Sequence, residues 1–205
     1  MKYTWAKFRL CRREGVNIFG SAKYNLKKRK TTPWQHGSSM QRNSEYWKLL
    51  RNKQLLKRSY LLSEKQFSKI VKVTASKYAK NQNISHDFAL LQFLERRMDV
   101  VILRSGLAQT IMQARQMVVH GLFTLNWVKH NVPSTFLKPW DKIALREWLK
   151  KSPLYSSNVK NAVKIPSWIK FDKNAYTIEI LSLPQKWEVE TQADLLKVIE
   201  FYARA

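Results

Sequence analysis

The sequence predicts an α+β fold that is mainly helical in its first part and contains a small αβ module of two helices packed on a short, mostly antiparallel sheet. Apolar residues recur at helical spacing along residues 44–80, from Phe88 to Gly106, and from Thr110 to His120. This is the pattern of helices that bury one face. After Gly121 the apolar period changes to two, which is typical of short strands.

The first 80 residues divide into an arm and two helices. Residues 1–43 mix basic and aromatic residues with glycine and proline, which predicts an irregular basic arm. Residues 44–80 form helix, and Ser63 followed by Gln66 is a capping-box pattern that begins a second helix there. A polar linker, 81–87, then precedes the helix that starts at Phe88.

The remaining elements are shorter. Thr110 and Gln113 form another capping box, and Gly121 stands where a helix needs a left-handed cap. Strands are expected within 122–132, at 142–146 and at 168–181, the last with a turn near Asn174. The sequence predicts a short closing helix over 192–202.

The charge is large and unevenly distributed. The chain has 38 Lys and Arg residues against 14 Asp and Glu, a net charge of +24. Residues 1–80 hold 21 of these basic residues and 3 acidic ones, a net +18, whereas residues 153–205 hold 7 and 6. Such a charge calls for a polyanionic partner. Nucleic acid is favoured over an anionic membrane surface, and no apolar stretch reaches the roughly 18 residues of a spanning helix.

Arginines mark the predicted module. Arg97 and Arg104 are seven residues apart and are expected on one helical face, with Arg115 on the next helix. Guanidinium groups bind phosphate oxygens in pairs, so these arginines are candidate RNA ligands. Spacing alone leaves a second interpretation open, in which they form ion pairs with Glu95 and Asp99 or a solvated face.

Several short motifs resemble one family. Residues 110–121 read T-x-x-Q-A-R-Q-x-V-x-H-G and follow R-M-D and R-S-G, which is similar to the small RNA-binding module named after ribosomal protein S4. That module also occurs in RNA-modifying enzymes and in stand-alone RNA-binding proteins. Residues 10–15, L-C-R-R-E-G, and 33–37, P-W-Q-H-G, resemble the arm of the ribosomal protein itself. Further matches follow in the same order at 44–46, 50–54, 57–60, 64–67, 166–169 and 199–202.

The resemblance implies a non-enzymatic small-subunit ribosomal protein without cofactors. It implies a basic arm (1–43) and a helical first domain (44–91 with 153–205) into which the RNA-binding module (92–152) is inserted. Its partner would be a helical junction in the 5′ part of small-subunit ribosomal RNA, bound early in assembly. It would contact the fifth protein of the subunit and lie beside the path by which messenger RNA enters.

On this interpretation the RNA-binding side chains are basic or polar residues of the arm, the first helices and the module. We expect the arm to order on binding RNA. The candidates are Arg9, Arg12, Arg13, Lys23, Lys27, Lys28, Arg29, His36, Arg51, Lys53, Lys57, Arg58, Arg97, Arg104, Arg115, Gln116, His120 and Lys129.

The chain departs from the family at several points. Some bacterial relatives bind zinc through four arm cysteines, but Cys11 is the only cysteine here, so no metal is predicted. Trp34 replaces a glycine of the arm turn. The usual Asn-Gly hairpin reads Asn126-Trp127, and a Trp fits positive φ poorly, so a longer hairpin is expected. The eight tryptophans are expected mostly in the core, with Trp34 and others of the arm free to stack on bases.

Compartment and function class each leave two alternatives. The family motif begins at residue 10, which leaves no room for a transit peptide, and Lys (25) and Asn (11) are common while Gly (5) is rare. A mitochondrial location is predicted, with the bacterial cytoplasm as the alternative. A stand-alone RNA-binding regulatory or quality-control factor is the second function class. An RNA-modifying enzyme would need a separate catalytic domain, for which there is no room, and nothing supports a catalytic role for His36 or His120.

Overall fold

The structure, a computed structural model, describes residues 6–26, 31–39, 44–80, 84–153, 155, 165–189 and 191–204. The chain divides into two units. The first comprises residues 1–90 with 191–205, and the second comprises residues 91–190. In the described residues no helix is long and apolar enough to cross a membrane.

The described residues of the first unit include the two longest helices, α2 (Glu45–Ser59) and α3 (Glu64–Lys80). They also include α1 (Lys7–Glu14) and, at the end of the chain, α7 (Leu195–Arg204). Both predicted helix starts are confirmed. The Ser44 hydroxyl caps α2 by accepting from the Trp47 amide, and at α3 the reciprocal capping box between Ser63 and Gln66 forms in full.

The core of the first unit lies where α2 and α7 pack together. Leu49, Leu56, Val198 and Phe201 are buried there, as their helical spacing predicts. The half-exposed carboxylate of Glu64 joins α2, α3 and α7, accepting hydrogen bonds from Lys53, Lys57 and Tyr202.

The arm is more regular than expected. Residues 7–14 form α1, and a 3-10 turn follows at Ala22–Tyr24. An ion-paired contact holds α1 against α2, because the buried carboxylate of Glu14 accepts from Arg51 and Arg58 of α2. Cys11 of α1 is fully buried. The described residues of the arm are therefore partly helical, and their ordering on RNA binding stays a prediction.

The second unit is the αβ module. Its helices are α5 (Met98–Arg104) and α6 (Ile111–Val119), and α4 (His86–Glu95) precedes them. The strands are β1 (Phe123–Leu125), β2 (Val128–His130), β3 (Lys142–Leu145), β4 (Ile169–Asp172) and β5 (Thr177–Ile180). They form one antiparallel sheet in the order β2-β1-β3-β5-β4. This confirms the predicted α+β class.

The helix predicted from Phe88 to Gly106 is interrupted. Arg97 is extended, with ψ of 139°, and it separates α4 from α5. Its neighbours bond to another segment: the Leu137 amide donates to the Arg96 carbonyl at 2.8 Å, and the Met98 amide donates to the Thr135 carbonyl at 3.0 Å. Apolar spacing continues through the break, so the sequence did not reveal it. Arg97 and Arg104 therefore do not share one helical face.

The predicted domain boundary at residue 153 is also different in the structure. The strands β4 and β5 extend the sheet of the module, because Ile178 of β5 pairs with Ile143 of β3. Trp168, Ile178 and Ile180 belong to the same buried cluster as α5 and α6. Of the segment 153–205, only residues 191–205 belong to the first unit. The pairing of β3 with β5 joins strands that are distant in sequence, which periodicity cannot predict.

The hairpin between β1 and β2 is shorter than predicted. The Leu125–Val128 pair closes it, so Asn126 and Trp127 form a two-residue turn with φ of 47° and 68°. This is the positive-φ combination that twisted hairpins favour. The tryptophan is tolerated there without lengthening the loop. Gly121 has φ of 66°, which confirms the predicted left-handed cap of α6.

Buried ion pairs connect the two helices of the module. Asp99 is fully buried, and its carboxylate accepts from Arg97 and from Arg115 of α6 at 2.8–3.1 Å. Glu95, also fully buried, accepts two hydrogen bonds from Arg104. Such pairs contribute little net stability when intact, but losing one partner leaves a buried charge without compensation.

We expect Asp99→Asn to destabilise the protein by about 3–5 kcal/mol, because Arg97 and Arg115 would lose their carboxylate. Urea unfolding measures the change. Glu147→Gln removes the same charge at an exposed position and should cost less than about 0.5 kcal/mol. Equal stability of the two variants would contradict the structural role of Asp99.

A second prediction concerns acid stability. Burial alone would raise the pKa of Glu64, but the hydrogen bonds from Lys57, Lys53 and Tyr202 outweigh it and lower the pKa from 4.5 to about 2. A depressed carboxyl pKa stabilises the fold above the ordinary pKa, and this contribution is lost as pH falls through the lowered one.

We therefore expect Glu64→Gln to reduce the free energy of unfolding by about 1 kcal/mol at pH 7, a value discounted for solvent screening of this half-exposed group. The difference from the parent should shrink as pH falls between about 4.5 and 2. Urea unfolding at a series of pH values tests this, and a difference that does not depend on pH would refute it.

Candidate nucleic-acid interface

A basic cleft lies between the arm and the helices of the first unit. Its volume is about 560 Å³. The arm turn forms one wall, and residues of α1, α2 and α7 form the others. Four cations and two tryptophans are among its lining residues, which include no acidic side chain: Arg13, Lys48, Arg51, Lys197, Trp34 and Trp47. Cations and aromatic rings together are the chemistry that binds phosphates and bases.

The arm turn of this cleft, residues 31–39, is held by its own backbone. A Cβ on Gly37 would lie 2.0 Å from the Thr32 carbonyl oxygen, so only glycine fits there. The Thr32 hydroxyl donates to the Gly37 carbonyl at 3.0 Å. Arg12 fixes the same turn by donating to the carbonyls of Thr31 and Thr32 at 2.9 and 3.1 Å. Arg12, predicted as an RNA ligand, is thus a positioning residue of the turn.

Aromatic rings orient the arginines of the cleft. Trp34 has φ of 89°, so it retains the left-handed conformation that suits a glycine at this position of the motif. Arg9 lies 5.6 Å from the Trp34 ring, and Trp47 has Arg13 at 5.9 Å and Arg51 at 4.5 Å. Stacking leaves the edges of a guanidinium available for hydrogen bonds, although Arg51 already donates one of them to Glu14. Of the predicted ligands, Arg13, His36 and Arg51 line the cleft.

A row of lysines on α3 was missed at the sequence level. Lys65, Lys69 and Lys72 are exposed and line one surface of α3 together with Ser68 and Ser76. None of the three lysines has an ion pair or hydrogen bond to any residue that the structure describes. Their spacing of four and three residues is that of one helical face, and this signal was present in the sequence. The row presents three positive charges over about 10 Å.

The module carries a smaller polar patch at the end of α6. Gln116 and His120 are exposed, and their Nε2 atoms lie 2.6 Å apart. The Lys129 side chain crosses Gly121, since a Cβ there would lie 2.8 Å from Lys129 Cε. The structure therefore gathers three predicted ligands, Gln116, His120 and Lys129, around one turn.

Other predicted RNA ligands of the first unit form ion pairs within the protein. Lys53 is buried, lies 4.2 Å from the Phe201 ring and bonds to Glu64 together with Lys57. Arg58 is paired with Glu14. Burial raises the pKa of Glu14, and Arg51 and Arg58 act in the opposite direction. Lys53, Lys57 and Arg58 therefore have a role in stabilising the fold, and their contact with RNA stays a prediction.

The three module arginines also form ion pairs within the protein. Arg97 is only 3% exposed and directs two nitrogens at Asp99. Arg104 pairs with Glu95, and Arg115 with Asp99. The alternative interpretation, ion pairs with these two acids, is the one that the structure supports. The burial of Glu95 and Asp99 decides it, and a helical spacing cannot show that burial.

The four remaining predicted RNA ligands fall into two groups. Lys23 is exposed on the 3-10 turn at Ala22–Tyr24 but does not line the cleft. Lys27, Lys28 and Arg29 lie outside the described residues. Among the described side chains, no group of three or more His, Cys, Asp or Glu is placed to bind a metal ion, and burial raises the pKa of the Cys11 thiol.

Comparison with known proteins identifies the family. Residues 2–95 match the family model described as "Ribosomal protein S4/S9 N-terminal domain", and residues 96–143 match the "S4 domain" model. Small ribosomal subunit protein uS4 of Rubrobacter xylanophilus is 36% identical over 203 residues, and the same protein of Oleidesulfovibrio alaskensis is 38% identical over 212. Each alignment covers 99% of both chains.

A third relative, uS4 of a Thermoanaerobacter species, is 34% identical over 210 residues with the same coverage. Similarity of this extent includes the arm, both units and the closing helix. It also separates the chain from enzymes that carry the S4 domain beside a catalytic domain. The chain belongs to the ribosomal protein S4 family and is a structural protein, not an enzyme.

Proposed function

We propose that this chain is a structural component of the small ribosomal subunit and binds the ribosomal RNA of that subunit. The observation that carries the proposal is the similarity to small ribosomal subunit proteins over 99% of both chains. The net charge of +24 supplies the physical reason for a polyanionic partner. A stand-alone RNA-binding factor would not need the arm and first-unit motifs, which the similarity includes.

The surfaces described above suggest how RNA is held. The α3 lysine row supplies point charges suited to successive phosphates, and the cleft adds arginines oriented by tryptophan rings. The patch of Gln116, His120 and Lys129 is a third contact, on the second unit. Folded RNA is recognised largely through its shape and phosphates, so these contacts bind without turnover and mainly through the backbone.

The finer role follows from the family resemblance. We propose on this basis that the chain binds a helical junction in the 5′ part of the RNA early in assembly, next to the fifth protein of the subunit. We further propose that it lies beside the path of incoming messenger RNA. The retained arm turn, in which Gly37 cannot be replaced without a clash, supports the RNA contact. Only one basic residue stands among residues 38–42, so messenger unwinding is not part of the proposal.

The proposed compartment is the mitochondrion. The relatives named above are bacterial, so the support is compositional: 25 Lys and 11 Asn with 5 Gly indicate AT-rich coding, and 8 Trp suit a code with an additional Trp codon. The coding DNA tests this. A mitochondrial genome with non-standard Trp codons is expected, and a bacterial chromosome with standard codons would overturn the proposal in favour of the bacterial cytoplasm.

Replacing Lys65, Lys69 and Lys72 together with glutamine should weaken binding to a transcript of the 5′ part of small-subunit RNA. We expect a loss of about tenfold or more near 0.1 M salt, because each lysine neutralises one phosphate. A filter-binding titration measures it. The matched control replaces the same lysines with arginine and should retain affinity. Equal affinity of the glutamine variant and the parent would remove the α3 lysine row from the interface.

Salt dependence tests the electrostatic mechanism separately. If six to ten phosphates are contacted, the slope of log affinity against log salt should be on the order of −5 to −9. The triple glutamine variant should have a slope smaller in magnitude by about 2–3, one for each lost phosphate contact. A slope near zero for the parent chain would contradict binding through phosphates.

A further inference from the structure

Most tryptophans of the second unit are on its surface. Trp127 is 83% exposed, Trp187 is 81% exposed and Trp140 is 72% exposed, whereas Trp168 is buried in the core. The expectation that the tryptophans pack mostly in the core is therefore wrong for this unit. Exposed aromatic side chains that share one region commonly mark a binding surface.

Strand pairing brings these residues to one end of the sheet. The Asn126 amide, beside Trp127, donates to the Lys142 carbonyl at 2.8 Å, and the Trp140 amide donates to the Ile180 carbonyl at 2.7 Å. These bonds align the β1–β2 turn, the start of β3 and the end of β5. Successive strands are about 4.8 Å apart. Trp127, in the β1–β2 turn, and Trp140, just before β3, thus stand at the same end of neighbouring strands.

Trp187 joins the same end through β4. The Leu181 amide donates to the Trp168 carbonyl at 2.9 Å, which places the start of β4 beside the end of β5. Ser167, just before that start, bonds to the Glu188 carboxylate through its amide and its hydroxyl. Trp187 adjoins Glu188. We call Trp127, Trp140 and Trp187 the tryptophan rim.

The backbone holds two of these residues in an unfavourable conformation. Trp127 and Trp140 have φ of 68° and 73°, which costs a side chain with a Cβ about 1–2 kcal/mol. Glycine or asparagine would be more stable there. Strain of this kind, at exposed side chains that pack little, is an indication of function.

Polar contacts make the rim rigid. The Asn126 side chain donates to Asp141 at 2.9 Å and accepts from the Lys142 amide at 2.9 Å. Asp141 also accepts from the Lys138 amide at 2.7 Å. These bonds tie the β1–β2 turn to the turn before β3. A preorganised aromatic surface loses little entropy when it binds.

The charges around the rim favour nucleic acid as its occupant. Lys138 and Lys142 flank Trp140, and Lys186 precedes Trp187; all three lysines are exposed. The acids at this end, Asp141, Glu179 and Glu188, are less exposed and are bonded within the protein, Glu179 to Lys142 and Glu188 to Ser167. Aromatic rings interleaved with cations are typical of surfaces that stack unpaired bases and track their backbone.

We infer that the tryptophan rim binds an unpaired RNA segment by stacking its bases on Trp127 and Trp140, with Trp187 at the far end. The inference rests on the proposed RNA-binding function and extends it from helical RNA, held by phosphates, to single-stranded RNA, held by bases. It concerns side chains that the family motifs do not include.

The test uses the full chain and a fluorescein-labelled oligouridylate of about twelve nucleotides, a length within single-strand site sizes. Trp127→Asn and Trp140→Asn remove the rings while easing the backbone, so the variants should fold. Each should raise the Kd about tenfold, corresponding to loss of one stacked base. Trp127→Tyr should retain most of the affinity. Trp148→Asn, at an exposed tryptophan on the opposite end of β3, is the control and should bind as the parent.

The outcomes separate the two proposals. An abasic oligomer of equal length should bind the parent and both asparagine variants alike, since only bases stack. If the parent binds the 5′ transcript and the asparagine variants bind oligouridylate as tightly as the parent, the rim inference is overturned and the proposed function stands. The rim inference is also overturned if the asparagine variants still bind oligouridylate but no longer assemble into small subunits. That result would assign the tryptophan rim to a protein partner. A parent chain that binds neither RNA overturns both.

Discussion

The internal pairing of carboxylates with basic side chains is the interaction on which the rest of this structure depends. Glu14 holds α1 against α2, Glu64 joins α2, α3 and α7, and Asp99 and Glu95 hold the helices of the module. In a chain with 38 basic and 14 acidic residues, these acids decide which cations are structural. The cations left at the surface are then the ones that can meet a phosphate backbone.

The division into structural and surface cations explains why the net charge indicates a polyanionic partner but does not identify the residues that bind it. A net charge of +24 indicates a polyanionic partner wherever the charges lie. Whether one arginine reaches that partner depends on a carboxylate that is distant in sequence. Arg58 pairs with Glu14 across 44 residues and Arg115 with Asp99 across 16. The α3 lysines have no ion pair among the described residues, because Glu64, the acid that lines the same surface, is engaged by Lys53 and Lys57.

Local patterns in the sequence predicted the elements whose causes are local. The caps at Ser63 and Gly121, and the helices α3 and α6 that they bound, follow from side chains within a few residues. The break at Arg97 and the addition of β4 and β5 to the module sheet depend on bonds to distant segments. The two-residue turn at Trp127 departs from the preference for glycine at positive φ, and departures of this kind are expected at functional sites.

The two kinds of RNA contact proposed here differ in chemistry. The α3 lysine row and the cleft present charge, so they suit the regular backbone of helical RNA and should respond to salt. The tryptophan rim presents rings and should respond to the presence of bases. A ribosomal RNA junction contains both helical and unpaired segments, so one chain can use both surfaces on the same RNA.

The most direct test of the central claim is mass spectrometry of small ribosomal subunits, purified from the organism and compartment that encode this chain and washed at high salt. The account predicts that the chain is present in stoichiometric amount with the other proteins of the subunit. Its absence from washed subunits, with the chain recovered elsewhere in the cell, would contradict the assignment.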